Sequence, residues 1–456
     1  MTSEDSTYDM VVFPPVRPPS LALGVDYIDN ESRRPPVSES QFLAMQDSDG
    51  RVVAEHKLRQ SIFKGGVEPS IRKRVWQFLF GLYPFNSTTR EREVLLAEKY
   101  CKYKALKKRW KTLLSQDEEG KTYLQPAYYE DELLKSGDPE FVPVPQTDDS
   151  YDVPMPDLPS PAVRQQIALM SLESQWYAER RPFDMEACKS AIRIIDKDVP
   201  RTDRELDYFK GPLNSHLDIL REILITFCAF HPEINYTQGM NDILSRFIVN
   251  FQSEVESYWC FEKYICEFKN DFVEGGILNK INIARELLFE IDRDLMSYIE
   301  HLGIGDLTFC HRWMLLTFKR EFPWEESLRC FEMLSSHHLE LSSLEAERIR
   351  EKERRQDFQN TNGKNRMDVA HIHPEYTFDV FLCVTILIEQ RENIFLCQDM
   401  ADLVQLVCGL SMKMNLDDLI SKSEMLFQQY CRTSALDCFH ILDYPSPTAQ
   451  TANIPS

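Results

Sequence analysis

The chain has 456 residues, with 73 acidic against 52 basic side chains and a formal net charge of -21, which excludes nucleic acid as its main partner because phosphate binding needs a basic face. Hydrophobic content of 43% and charged content of 27% are those of a globular chain with ample core material, and its longest apolar runs are too short or too charged to span a bilayer. The twelve cysteines include no CxxC pair, and Cys228, Cys260, Cys310 and Cys383 sit in apolar segments, so reduced thiols in a cytoplasmic protein are expected, with neither a disulfide framework nor a zinc site.

In chain order, residues 1–40 are rich in Pro and Ser, lack the apolar stretch of a secretory signal, and are expected to be a disordered tail. From Phe42 the pattern turns helical. In "SIRKRVWQFLFGLYPF", Ile71, Val75, Phe78 and Leu79 share a face, with Gly81 and Pro84 as stop signals. "SHLDILREILITFCAF" places Leu217, Leu220, Leu224 and Phe227 on one stripe. "SEVESYWCFEKYICEF" opens with the capping-box pattern Ser253-x-x-Glu256, and "NIARELLFEIDRDLMSYIEHLG" ends on Gly303 as a C-terminal cap. "DVFLCVTILIEQREN" and "DDLISKSEMLFQQYC" continue the helical theme. Alternating strand patterns are nearly absent, so the fold class expected is all-α. Residues 115–160 and 340–375, acidic or charge-dense, are expected to be insertions into one domain spanning 41–435, with 436–456 as a C-terminal tail.

Two stretches carry candidate chemistry. In "AIRIIDKDVPRTDR", Pro200 should end a helix that buries Ala191, Ile194 and Ile195 near Asp198, push Val199 out of helical geometry, and send Arg201 away on an extended segment. Asp198 and Asp203 flank that arginine and can orient it; a structural ion pair is the alternative reading. In "HPEINYTQGMND", Pro232 follows a helix end and Tyr236, Thr237 and Gln238 precede Gly239, which permits close approach of another backbone. Asn241 and Asp242 are available to cap the next helix. A glutamine that ties down its own loop is the alternative there.

These residues resemble the TBC-domain GTPase-activating proteins for Rab GTPases. The family's I-x-x-D-x-x-R motif matches Ile195, Asp198 and Arg201, and its Y-x-Q-G-M motif matches Tyr236, Gln238, Gly239 and Met240. "GGVEPSIRKRVWQFLFG", with Arg72 and Trp76, and "FCHRWMLLTFKREFPWEESLRCFE" are similar to two further family blocks, in the right order. Phe331 stands where the family commonly has tryptophan, and an aromatic packing substitute is expected. The resemblance implies a single two-lobed helical domain that offers Arg201 and Gln238 as catalytic fingers to a GTP-bound Rab. Asp198 would orient the arginine; Ile195, Tyr236, Gly239, Met240, Asn241 and Asp242 would support or contact the partner. It implies no cofactor of the chain's own, since GTP and Mg²⁺ travel with the partner. It also implies peripheral recruitment to endomembranes through partners and a role in vesicle traffic. A helical scaffold that binds a Rab without stimulating hydrolysis is the competing class.

The remaining features are weaker. "KYCKYKALKKRWK" carries seven basic residues in thirteen, read as a solvated basic face with contact to an acidic surface as the alternative. His371 and His373 in "HIHP" have no companion at ligand spacing, so no metal is expected. "STYDMV" and "EFVPV" are short pieces able to add a strand to a partner's sheet edge.

Overall fold

The structure, a computed structural model, describes residues 33–129, 161–273, 275–339 and 377–440. The longer helices in chain order are α1 (Glu39–Ala44), α2 (Glu55–Gly65), α3 (Pro69–Leu79), α4 (Thr89–Gln116) and α5 (Pro161–Glu179). They continue with α6 (Met185–Asp198), α7 (Ser215–Phe230), α8 (Met240–Phe251), α9 (Glu254–Glu267) and α10 (Gly276–Ile291). The last are α11 (Arg293–His301), α12 (Trp324–Ser335), α13 (Phe378–Glu389), α14 (Met400–Cys408) and α15 (Leu416–His440). Among the described residues there is no strand; Val37–Val67 and Gln46–Val52 form isolated bridges. The fold is all-α, as the periodicity predicts. No described helix is long and apolar enough to cross a membrane.

One set of helices, α4 to α9, packs in sequence around α7, which is buried along nearly its whole length from Leu217 to Phe230. A second set is built from α10, α11, α13 and α15. Between them α3 lies on α8 and α2 lies on α12. Trp76 of α3 is the hub of this junction: its ring meets Phe80, Phe247, Phe251 and Phe331 edge-on. Its Nε1 donates to Glu332 at 2.8 Å, and the same buried carboxylate accepts from Arg72 Nε at 2.7 Å and Val67 N at 2.9 Å. Three donors satisfy an acid that would otherwise be costly to bury. Arg72 and Trp76 thus lock α3 to α12, and Phe331 fills the expected aromatic position, stacked on Phe80 at 5.0 Å.

Local signals worked as caps with one variation. Ser253 accepts from Glu256 N, but the Glu256 carboxylate turns to Gln77 Nε2 at 2.9 Å and to Lys73 instead of closing a capping box. Gly303 takes a positive φ of 86° directly after the C-cap of α11. The long pattern from Asn282 to Gly303 is broken at Asp292, whose side chain caps α11 through Leu295 N.

Several boundaries move. Packed residues precede 41: Val37 is buried and pairs with Val67, and Ser38 caps α1 with a reciprocal bond to Gln41. The first insertion does not begin at 115. Asp117 and Glu119 hold Lys189, Tyr128 is buried, and the Tyr123 carbonyl accepts from the fully buried Arg221 at 2.8 Å. The basic run on α4 is only partly solvated: Lys107 lies between Glu222 and Glu254, Lys111 binds Glu222, and Lys99 sits over the Trp259 ring. At the other end α15 runs to His440, past the expected boundary at 435. The Pro-rich tail to Ser32, residues 130–160, the second insertion at 340–375 with His371 and His373, "STYDMV", "EFVPV" and residues 441–456 lie outside the described residues.

Candidate functional site

Helix α6 delivers the arginine. Asp184 caps it through Ala187 N at 2.9 Å, and Cys188, Ala191, Ile192 and Ile195 form its buried stripe. Ile194 falls outside that stripe and is exposed, contrary to the expectation that it points inward. The helix ends at Asp198 as predicted. Val199, however, keeps helical dihedrals (φ −57°, ψ −49°), and Val199–Arg201 tighten into a 3₁₀ turn rather than an extended segment. Burial of the Val199 side chain overrides the pre-proline bias, and Pro200 sits at the start of the turn, where its missing N–H is no loss.

The turn leaves the Arg201 side chain 59% exposed while Asp198 beneath it is 3% exposed; Nη2 donates to Asp198 Oδ1 at 2.5 Å. Asp203 does not share in orienting Arg201. Its carboxylate binds Lys319.

The glutamine loop leaves α7 at His231, whose carbonyl accepts from Ile234 N and Asn235 N. Gly239 then takes φ 110°, a conformation that other residues rarely adopt, so the backbone favours glycine; a Cβ there would also press on Leu316 Cδ2 at 2.8 Å. The close neighbours are the Leu315 and Leu316 side chains, not another backbone. Gln238 is exposed and, among the described residues, has no hydrogen-bond partner for its amide. Met240 is fully buried as the first residue of α8. Asn241 and Asp242 do not cap that helix with their side chains, as the sequence suggested they would. Each is used elsewhere.

Asn241 joins the two motifs. Its Nδ2 donates to Thr202 Oγ1 at 2.9 Å, its Oδ1 accepts from Gly239 N at 3.2 Å, and the Thr202 hydroxyl donates to the Asp198 carbonyl at 2.9 Å. Tyr236 closes the ring: its hydroxyl is 2.8 Å from Asp198 Oδ2 and 3.2 Å from Asn241 Oδ1. Burial, with Asp198 beside it, holds the Tyr236 phenol well above its ordinary range, so it stays protonated and donates to the carboxylate. Ile195, buried one turn before Asp198, fixes the helix end from below.

Asp242 anchors a second layer with Lys319 and Arg320. Lys319 Nζ is 3.0 Å from Asp242 Oδ1 and 2.8 Å from Ser245 Oγ, and Arg320 is 2.8 Å from Asp242 Oδ2. Burial alone would raise the Asp242 carboxyl, but these two cations outweigh it and hold it below its ordinary value. The backbone before Lys319 is strained, with Thr317 at φ 50° and Phe318 at φ 55°; Asp203 and Asn235, close in sequence to Arg201 and Gln238, also have positive φ. Such conformations persist only where the surroundings over-determine them. Here Arg246, fully buried, donates to the Leu316 carbonyl at 2.5 Å and lies over the Phe331 ring. Tyr264 meets the Thr317 hydroxyl at 3.1 Å.

The structure therefore brings Asp198, Arg201, Tyr236, Gly239 and Asn241 onto one network and places Asp242 on the neighbouring one. Sequence reasoning gave no roles to Thr202, Arg246, Lys319 and Arg320. Only the last two had a signal, as cations after an apolar run. The arrangement lacks a nucleophile with an adjacent base. What it offers is an exposed guanidinium and an exposed amide, each on a turn fixed by buried polar bonds.

This all-helical fold, with an arginine turn and a glutamine loop on a shared floor, is similar to those of known proteins. Residues 161–346 match the family model of the Rab-GTPase-TBC domain. The chain is 28% identical over 304 residues to TBC1 domain family member 17 from Homo sapiens, covering 66% of this chain and 37% of that protein. It is 26% identical over 333 residues to GTPase-activating protein gyp7 from Schizosaccharomyces pombe (69% and 36% covered), and 24% identical over 419 residues to GYP7 from Yarrowia lipolytica (90% and 46% covered). The chain thus spans less than half the length of these relatives. The crystal structure of the Ypt/Rab-GAP domain of Gyp1p shares the fold, with a TM-score of 0.53 at 18% identity over 86% of this chain and 98% of that one. The chain is thus similar to TBC-domain proteins, with residues 161–346 matching the Rab-GTPase-TBC domain.

Proposed function

We propose that this chain is a GTPase-activating protein for a GTP-bound Rab-family GTPase, supplying Arg201 and Gln238 in trans. The observation that carries the reading is the buried ring of Asp198, Tyr236, Asn241 and Thr202, which ties together the two segments that carry the exposed Arg201 and Gln238. GTP hydrolysis is limited by charge redistribution on the transferred phosphoryl group and by poor ordering of the attacking water. A planar guanidinium reaches several phosphate oxygens and stays charged at any working pH. In comparable GTPases such an inserted arginine is worth roughly 10³–10⁵ in rate. An amide accepts from water and donates to phosphate at once, so Gln238 takes the water-positioning role. GTP and Mg²⁺ belong to the partner in this reading, and the chain reaches membranes through that partner. Related proteins named as GTPase-activating proteins support the same assignment.

The test is single-turnover GTP hydrolysis by a panel of purified Rab proteins with catalytic amounts of this chain. Stimulation of at least one Rab, abolished by Arg201→Ala, is expected. Rab binding without stimulation anywhere in the panel places the chain in the scaffold class instead.

A further inference from the structure

We propose that His231, Glu262 and Cys266 form a zinc-type metal site at the root of the glutamine loop. Their donor atoms all lie within 4.8 Å of one another. Glu262 and Cys266 stand one turn apart on α9 and share a face, while His231 approaches from the end of α7. Three features of the cluster suit a metal ion.

The first is the histidine tautomer. His231 Nδ1 is 2.9 Å from the Phe227 carbonyl, which can only accept, so Nδ1 carries the hydrogen. Burial alone would lower the imidazole, but Cys266 and Glu262 outweigh it and push it up to about 9, so an ion binds in place of the Nε2 proton. In the neutral ring Nε2 is the lone-pair nitrogen, and it faces Glu262. A backbone carbonyl holding the distal N–H is the usual support of a metal-binding imidazole, fixing tautomer and ring orientation together. The Phe227 ring, stacked at 4.4 Å and 14°, fixes the plane further.

The second is spacing. His231 Nε2 lies 3.5 Å from Glu262 Oε1, long for a charge-assisted hydrogen bond. Zinc with bonds of about 2.0–2.1 Å to nitrogen and oxygen separates two tetrahedral ligands by about 3.4 Å. The third is the donor set. Imidazole, thiolate and carboxylate together favour zinc over magnesium or calcium, which take oxygen ligands. His231 is buried while Glu262 and Cys266 are partly exposed, so an ion can enter from their side and water can fill the fourth position.

Such an ion would tie α7 to α9 where the glutamine loop starts. The His231 carbonyl is the acceptor for Ile234 N and Asn235 N, so fixing His231 fixes the turn that leads to Tyr236 and Gln238. The sequence hides the site because 231 and 262 belong to different helices with no repeated ligand spacing.

The experiment uses the purified full chain, stripped with chelator and kept reduced, titrated with Co²⁺ alone and then with Zn²⁺. One equivalent of Co²⁺ should bind, with thiolate charge-transfer absorption and the visible bands of a tetrahedral site, all bleached by Zn²⁺. Outer partners of metal ligands are worth 10–100-fold in affinity, so loss of a ligand in Cys266→Ser should weaken Zn²⁺ binding by more than about a hundredfold and abolish the charge-transfer band. Glu262→Gln should weaken binding but keep that band. Cys408→Ser, at an exposed thiol on α14, should change neither. Melting curves of the metal-free variants confirm that each is folded; Glu262→Gln serves if Cys266→Ser is not. Absence of saturable Co²⁺ binding, bands that survive Cys266→Ser, or bands lost in Cys408→Ser would overturn the assignment.

Discussion

The Tyr236 hydroxyl stands 2.8 Å from Oδ2 of Asp198, the carboxylate whose other oxygen holds Arg201 at 2.5 Å. One residue of the glutamine motif thereby completes the support of the arginine motif, and the two segments hold each other in place. Tyr236→Phe removes this donor and leaves the buried carboxylate short of a partner, at a cost of about 1–3 kcal/mol. The expected result is a lower melting temperature and a drop in stimulated hydrolysis of about tenfold, smaller than the loss from removing a finger. An unchanged rate with lowered stability would show that Asp198 orients Arg201 without help.

Arg201→Ala should reduce stimulated hydrolysis by about three orders of magnitude, the scale of a lost arginine finger. The guanidinium is mostly exposed but is the partner of the buried Asp198 Oδ1, so the melting temperature should fall modestly as well, with the variant still folded. Arg201→Lys keeps the charge but not the planar fork, and should also fail on every responsive Rab. Near-normal activity of the lysine variant would remove Arg201 from the transition state.

The first insertion has two parts that deletion separates. Replacing 131–159 by a short Gly/Ser linker should leave a cooperative melt, since each doubling of loop length costs only about 0.6 kcal/mol in closure. Extending the deletion back to 118 removes Glu119, the buried Tyr128 and the Tyr123 carbonyl bound by Arg221, leaving buried polar groups unpaired. That variant should melt at clearly lower temperature. Equal melting of the two would mean that residues 118–129 add nothing to the core.

Much of this was legible before the structure. The stripe of Leu217, Leu220, Leu224 and Phe227 and the ends at Asp198 and Gly303 follow from period and punctuation, which are local. The resemblance picked out Arg201 and Gln238. The bonds that seat them were not legible, because Asp198 meets Tyr236 across 38 positions and Asp242 meets Lys319 across 77. Capping propensity assigned Asn241 and Asp242 to α8, and tertiary partners overrode it. The same competition kept Val199 helical against its proline. Composition drew the insertion from 115, because a short acidic and aromatic stretch gives no sign of which side chains are buried.

Asp218 gives a pH test of the packing at Tyr128. Burial pushes its carboxyl up to about 6, with Tyr128 Oη 3.4 Å away. The folded pKa exceeds the unfolded one, so the folded state binds more protons between about pH 4 and 6 and stability falls as pH rises through that window. Above it the ionised carboxylate is a standing cost. Asp218→Asn should raise the melting temperature at pH 8 by about 1–3 °C, with the difference closing toward pH 4. A lower melting temperature at pH 8 would show that Arg221 and its neighbours stabilise the ionised form.

The last prediction tests whether Arg201 and Gln238 act as one unit. One is assigned the phosphoryl charge and the other the attacking water, and both contribute only as the transition state forms. Groups that act together lose activity non-additively, so the double variant Arg201→Ala/Gln238→Ala should be little worse than the more damaging single change. The shared base predicts the same. Both side chains are exposed above the ring of Asp198, Tyr236, Asn241 and Thr202, and truncating them leaves that ring intact. Rab affinity should therefore fall much less than the rate, because the wider interface keeps its shape. Single-turnover hydrolysis of the two single variants and the double variant, with Rab binding measured alongside, decides the matter. Fully multiplicative losses would separate the two residues into independent roles, and an unchanged rate in Gln238→Ala would assign water positioning to the Rab.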